Sequence, residues 1–189
     1  MKGKSSQRIG KKDEWGVAVN SLNHFVFAFS VTLLFMKPSL YGFMLALMGA
    51  LVFGVLIDLD HKLNKNAPWY HKRTWVQEPL GLLIVGLPLA CFLGFFDQQL
   101  FYVVLAPYAS HVLLDYLCVF EAEPFAPLLR IKKREGLGLF VPDDLFHRSG
   151  NSARWKEKAK KKGWKAVSEN YFTPVNLAIL ALVVAAKFF

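Results

Sequence analysis

The sequence predicts an all-α, polytopic membrane protein of about five transmembrane helices. Its N-terminus lies in the cytoplasm, and a basic cytoplasmic segment precedes the last helix. Three observations lead there. Uncharged apolar runs recur at the length of a bilayer span. The chain is 54% hydrophobic with a mean hydropathy of +0.30, high for a water-soluble domain. Lysine and arginine are gathered into three segments that five spans place on one side of the membrane.

The spans are expected at about 16–36, 40–57, 79–96, 100–120 and 171–189, all within one membrane-embedded domain. The runs at 40–57 and 79–96 carry no charged residue, and each is long enough as a helix to cross a hydrocarbon core of roughly 30 Å. The run at 100–120 is similar but contains His111 and Asp115. The last opens on Thr173-Pro174, a pair suited to a helix start because proline is tolerated at the first helical position. The first is interrupted by Asn20, Asn23 and His24, and is the least hydrophobic of the set. It is read as a span rather than a signal peptide, since no small-residue cleavage site follows the apolar run. Cys91 and Cys118 fall inside spans and read as small apolar residues, with no disulfide implied.

Orientation follows from charge. All of the 23 Lys and Arg residues except Lys37 and Lys187 lie in 1–15, 61–78 and 121–173. The positive-inside rule assigns that side to the cytoplasm. The links near 37–39 and 97–99 then face outward. The segment 121–170 is the main extramembrane region. In it Trp155, Ala159, Trp164 and Val167 are interleaved with lysines, which suits a basic segment resting on anionic lipid headgroups. It carries no recognisable nucleic-acid motif, and basic charge alone does not specify that partner. The sequence identifies no protein partner.

Ionisable groups within spans are rare, because a charge at the bilayer centre costs roughly 2.5–3.5 kcal/mol on insertion scales. His111 and Asp115 are separated by four positions, so they share a helix face. If their span enters from outside near residue 100, they lie roughly 16 and 22 Å down at 1.5 Å per residue, in the cytoplasmic half. His24 lies roughly 10 Å from the cytoplasmic start of the first span by the same arithmetic. Asp58, Asp60 and His61 sit where the second span emerges, and His71 follows in the loop. All therefore map to one side at similar depth. Imidazole and carboxylate together suit a divalent metal, with zinc first and manganese or iron as alternatives. Each residue also has a plainer reading. His24 can hydrogen-bond between helices, and His111 with Asp115 can form a metal-free ion pair or proton relay. Asp58 can end a helix at the interface, and His61 can be a solvated loop residue. His147 is placed outside the site.

The order is a His on the first span, D-x-D-H after the second, a loop His near Arg-Thr, and S-H-x-x-x-D on a later span. This resembles the prokaryotic membrane-bound metal-dependent hydrolases described as LexA-binding and inner-membrane-associated, over roughly residues 20–130. By motif order it is also distantly similar to zinc-dependent phospholipase C. The resemblance implies ligands at His24, at Asp58 or Asp60, at His71, and at His111 with Asp115, the last bridging two metals. The family's loop motif H-R-G-x-T-H-S is replaced here by "HKRTWVQEPL", so Gln77 or Glu78 stands where a histidine is usual.

The function expected is a metal-dependent hydrolase at the cytoplasmic face. Asp60, His71, His111 and Asp115 would hold the metal, with Asp58 and His24 as a second set. Asp58 or Glu78 would serve as base, and Arg73 with Lys72 would stabilise a developing phosphate anion. A phosphoester or lipid-linked substrate follows by analogy with the phospholipase. The alternatives are a non-enzymatic membrane adaptor acting through the basic segment, and an ion-coupled transporter, disfavoured by the lack of repeat symmetry. Site-2 proteases require H-E-x-x-H, which is absent. The signatures of the acid-phosphatase-type lipid phosphatases and the CDP-alcohol transferases are missing as well.

Overall fold

The computed structural model describes residues 13–57, 74–117 and 172–189, with short pieces between 121 and 168; in the first helix, side chains are described from Ser21 onward. Helix α1 is Asp13–Phe35 and α2 is Leu40–Gly54. A 3-10 turn, Trp75–Gln77, leads into α3, Pro79–Gly94. Helix α4 is Gln98–Leu117 and α5 is Phe172–Phe188. Among the described residues the architecture is helical apart from four two-residue strands. Of these, β1 (Glu121–Ala122) pairs antiparallel with β2 (Arg134–Glu135), and β3 (Phe140–Val141) pairs parallel with β4 (Val167–Ser168).

Local chemistry sets the helix ends. Ser39 caps α2, its hydroxyl accepting the Gly42 N–H at 3.1 Å. Asp97 does the same for α4 by accepting the Gln99 N–H at 2.9 Å. That helix therefore begins at Gln98, within a polar stretch the sequence reading leaves as a link. At its far end α2 stops at Gly54, earlier than the expected 57, and the chain turns through Val55 into a 3-10 step at Leu56 and Ile57. In α3, Pro88 offers no N–H to the Ile84 carbonyl, and the turn before it widens to π geometry over Leu82–Gly86.

The bundle is built around α4, which packs on α1, α2 and α3, while α5 packs chiefly on α1. The core joins Ala28, Phe29 and Leu33 of α1, and Met36 just past its end, to Ala46 and Ala50 of α2 and Val183 of α5. Helices α2 and α4 meet closely at one point. Pro107, inside α4, has no N–H to give the Val103 carbonyl. Gly49 of α2 lies against that carbonyl; a Cβ there would come within 2.5 Å of the Val103 oxygen. Glycine thus lets backbone approach backbone where the proline leaves a carbonyl open, a setting for a Cα–H···O contact.

Two polar fastenings hold α5 on α1. At one end the Thr173 hydroxyl donates to Asn23 Oδ1 at 3.0 Å, and Asn176 Nδ2 donates to the same oxygen at 3.4 Å. At the other, Lys187 Nζ donates to the Met36 carbonyl at 2.9 Å. The hydroxyls of Ser30 and Thr32 fold back on the Val26 and Ala28 carbonyls of their own helix, so neither is exposed to the apolar surroundings unsatisfied.

Polarity is arranged inside-out. Asn23, His24, Gln77, Glu78, His111, Asp115 and Asn176 are buried, whereas Met44, Met48 and Leu51 of α2, Leu83, Ile84, Leu89 and Phe92 of α3, and Leu182 of α5 are exposed. An apolar exterior of this extent is what a lipid-facing bundle presents. Among the described residues, α4 is the one helix long and apolar enough by itself to cross a membrane, and the described parts of the other four are shorter apolar helices.

Candidate metal centre

Three side chains from two helices converge in the interior. On α4, the helical repeat places His111 and Asp115 one above the other, and His111 Nε2 lies 3.3 Å from Asp115 Oδ2. On α1, His24 turns inward next to Asn23, and its Nε2 lies 3.5 Å from Asp115 Oδ1. The imidazole rings are 4.5 Å apart, tilted by 30°. Ligand atoms of all three residues lie within 4.8 Å of one another, and all three residues are buried, His111 completely.

The tautomer of His111 is fixed by its other nitrogen. Nδ1 sits 3.0 Å from the carbonyl oxygen of Gly54, which can only accept, so Nδ1 carries the proton. The neutral ring then turns the Nε2 lone pair toward Asp115. A lone pair facing an ionised carboxylate is repulsive unless a proton or a metal cation lies between them.

The geometry discriminates. Both N···O separations exceed the 2.7–3.2 Å range of a good N–H···O hydrogen bond, and charge-assisted bonds are shorter still. They agree with the edge of a tetrahedron of ligands held at about 2.0–2.1 Å, an edge of about 3.3 Å. Two imidazole nitrogens and a carboxylate oxygen also form a donor set that zinc takes in catalytic sites, where three protein ligands leave a position for water. The residues present therefore fit a divalent metal.

The remaining candidates divide into two groups. Glu78 is buried at the start of α3, and its Oε2 lies 3.5 Å from the Tyr116 hydroxyl, one residue beyond Asp115. It is outside the three-residue cluster. Asp58, Asp60, His61, His71, Arg73 and Lys72, together with His147 and most of the basic segment 121–170, lie outside the described residues. His24 shares the carboxylate of Asp115 with His111, because α1 packs directly on α4.

The surroundings hold this end of the bundle together. The Gln77 side chain donates to the Ile57 carbonyl at 3.2 Å, tying the turn before α3 to the end of α2. The Tyr108 hydroxyl donates to the Val76 carbonyl, fastening the same turn to α4. The sequence reading missed Gly54 and Tyr108 as contributors. Gly54 and Tyr108 read as ordinary span residues, and only the tertiary pairing of α2, α3 and α4 brings these groups to the site end.

Comparison with curated proteins and with solved structures gives no match. A family match covers residues 19–189, under the description YdjM inner membrane protein. That range takes in His24, His111, Asp115 and every other candidate ligand. An inner-membrane location agrees with the apolar exterior and buried polar interior of the bundle, and the chain belongs to the YdjM inner membrane protein family.

Proposed function

We propose that this protein is a metal-dependent hydrolase of the inner membrane, with a divalent metal, zinc first, held by His24, His111 and Asp115. The observation that carries the reading is the meeting of two imidazole Nε2 atoms on the two oxygens of one buried carboxylate, at 3.3 and 3.5 Å. A proton relay would shorten at least one of these to hydrogen-bond distance. A bound metal would lower the pKa of a coordinated water, making a nucleophile available at neutral pH.

The chain's own residues do the rest. Gly54 and the packing of α1 on α4 orient the imidazoles. Asp115 offers each histidine a separate oxygen. Glu78 would act as base, with Asp58 as the alternative. Arg73 and Lys72 would offset charge on a phosphate. His71, Asp60 and His61 would complete a second ligand set.

Five spans with the N-terminus in the cytoplasm would put this centre in the cytoplasmic half, next to the headgroup layer. A phosphoester on a lipid or lipid-linked molecule is the substrate class met first there. The basic segment would rest on anionic headgroups. The adaptor alternative uses that segment alone and makes the centre dispensable.

The test is hydrolysis in vesicles of mixed zwitterionic and anionic phospholipid. Wild type is expected to release a water-soluble phosphate product, to stop after chelation, and to resume with Zn2+. His111→Ala should be inactive, while deletion of 151–169 should retain turnover. Loss of function on that deletion, with His111→Ala unaffected, would favour the adaptor.

A further inference from the structure

The metal reading assigns ligands but leaves open why His111 presents Nε2 rather than Nδ1 to the centre. The Gly54 carbonyl answers this. Gly54 is the last residue of α2, and the final carbonyls of a helix lack an intrahelical donor. The next residue, Val55, sends its N–H to Leu51, a turn back. The Gly54 oxygen instead meets His111 Nδ1 at 3.0 Å, inside the protein, where His111 has no solvent exposure.

The residue type matters as much as the carbonyl. A Cβ at Gly54 would stand 2.7 Å from the Cβ of Ala28 and 3.5 Å from the His24 carbonyl oxygen. The end of α2 is therefore pressed onto α1 within a turn of His24, and any side chain at 54 would move it away. One backbone position thus touches the supports of both histidines: it hydrogen-bonds one ring and packs on the helix turn that carries the other.

We propose that Gly54 is the positioning residue of the centre: its carbonyl holds His111 in the Nδ1–H tautomer, and its missing side chain sets the spacing between His111 and His24. The proposal builds on the metal reading but makes a claim about the metal-free protein that stands without it. Outer partners that orient a ligating histidine typically change metal affinity by about 10–100-fold when altered.

The experiment has two arms. In the first, 15N-histidine-labelled protein without metal is examined by NMR in lipid nanodiscs, with His111 assigned by comparison with His111→Asn. A ring protonated at Nδ1 is expected, with Nε2 either bare or sharing a proton with Asp115. A ring protonated at Nε2 alone overturns the proposal. In the second, Co2+ is titrated into wild type, Gly54→Ala and the double variant Ala28→Gly/Gly54→Ala. Gly54→Ala should weaken binding by about 10–100-fold. The double variant, with space restored, should return to within a few-fold of wild type. Wild-type affinity in Gly54→Ala would overturn the spacing claim, as would a double variant no better than the single one. If wild type itself takes up no Co2+, the metal reading fails, while the tautomer signal still decides the role of Gly54.

Discussion

At the scale of residues, the decisive feature is the sharing of one carboxylate by two histidines from different helices. His111 and Asp115 declare themselves in the sequence, because a spacing of four puts them on one helix face. His24 is less legible. It lies far away in sequence, and only the arithmetic of depth brings it level with the others. Asn23, which reads as a polar blemish on the first span, turns inward and receives hydrogen bonds from Thr173 and Asn176. Interhelical hydrogen bonds in membranes average only about 0.6 kcal/mol, with a maximum near 1.7. Asn176→Leu is therefore expected to lower stability by no more than that maximum in a reversible detergent-denaturation series, leaving metal content intact. His24→Ala should do the reverse, reducing bound metal by at least about tenfold, as judged by metal analysis, with little change in helicity.

At the scale of elements, helix boundaries follow caps and prolines more than hydropathy. Ser39, Asp97 and Pro79 mark starts that the apolar runs alone place within a few residues. The early end of α2 at Gly54 was not legible, since the apolar run continues through Ile57 and the partner of its last carbonyl, His111, lies on α4. The same holds for the Gly49–Val103 contact. Proline at 107 announces an open carbonyl, but nothing local says which helix will cover it. Gly49→Val should force the helices apart there, and overpacking of this kind costs about 1–3 kcal/mol. Thermal unfolding in detergent should show it, and Gly49→Ala should fall between Gly49→Val and wild type.

At the scale of the whole molecule, the order of the described helices was legible because each long apolar run is helical, and a helix lies on each of the five runs. The pairing of those helices was not, because lipid-facing and core-facing apolar residues look alike in sequence. The resulting bundle has a greasy outside and a polar inside. With the basic segments of the sequence gathered on one side, the proposed five spans would put the N-terminus in the cytoplasm and the C-terminus outside. Reporter fusions check this: a cytoplasm-active reporter should be active at residue 1, and a reporter active only outside should be active after residue 189. Activity of both on one side would mean an even number of spans.

The central question is whether His24, His111 and Asp115 form a metal centre. The direct measurement is the metal content of protein purified in detergent, wild type against Asp115→Asn, each checked for helicity by circular dichroism. Asp115 bridges both histidines, so replacing its carboxylate removes the shared ligand while keeping the shape of the side chain. Wild type is predicted to carry about one tightly held divalent ion per chain or more, and Asp115→Asn less than about a tenth of that. A folded wild type free of stoichiometric metal, or an Asp115→Asn variant that holds as much as wild type, would contradict it.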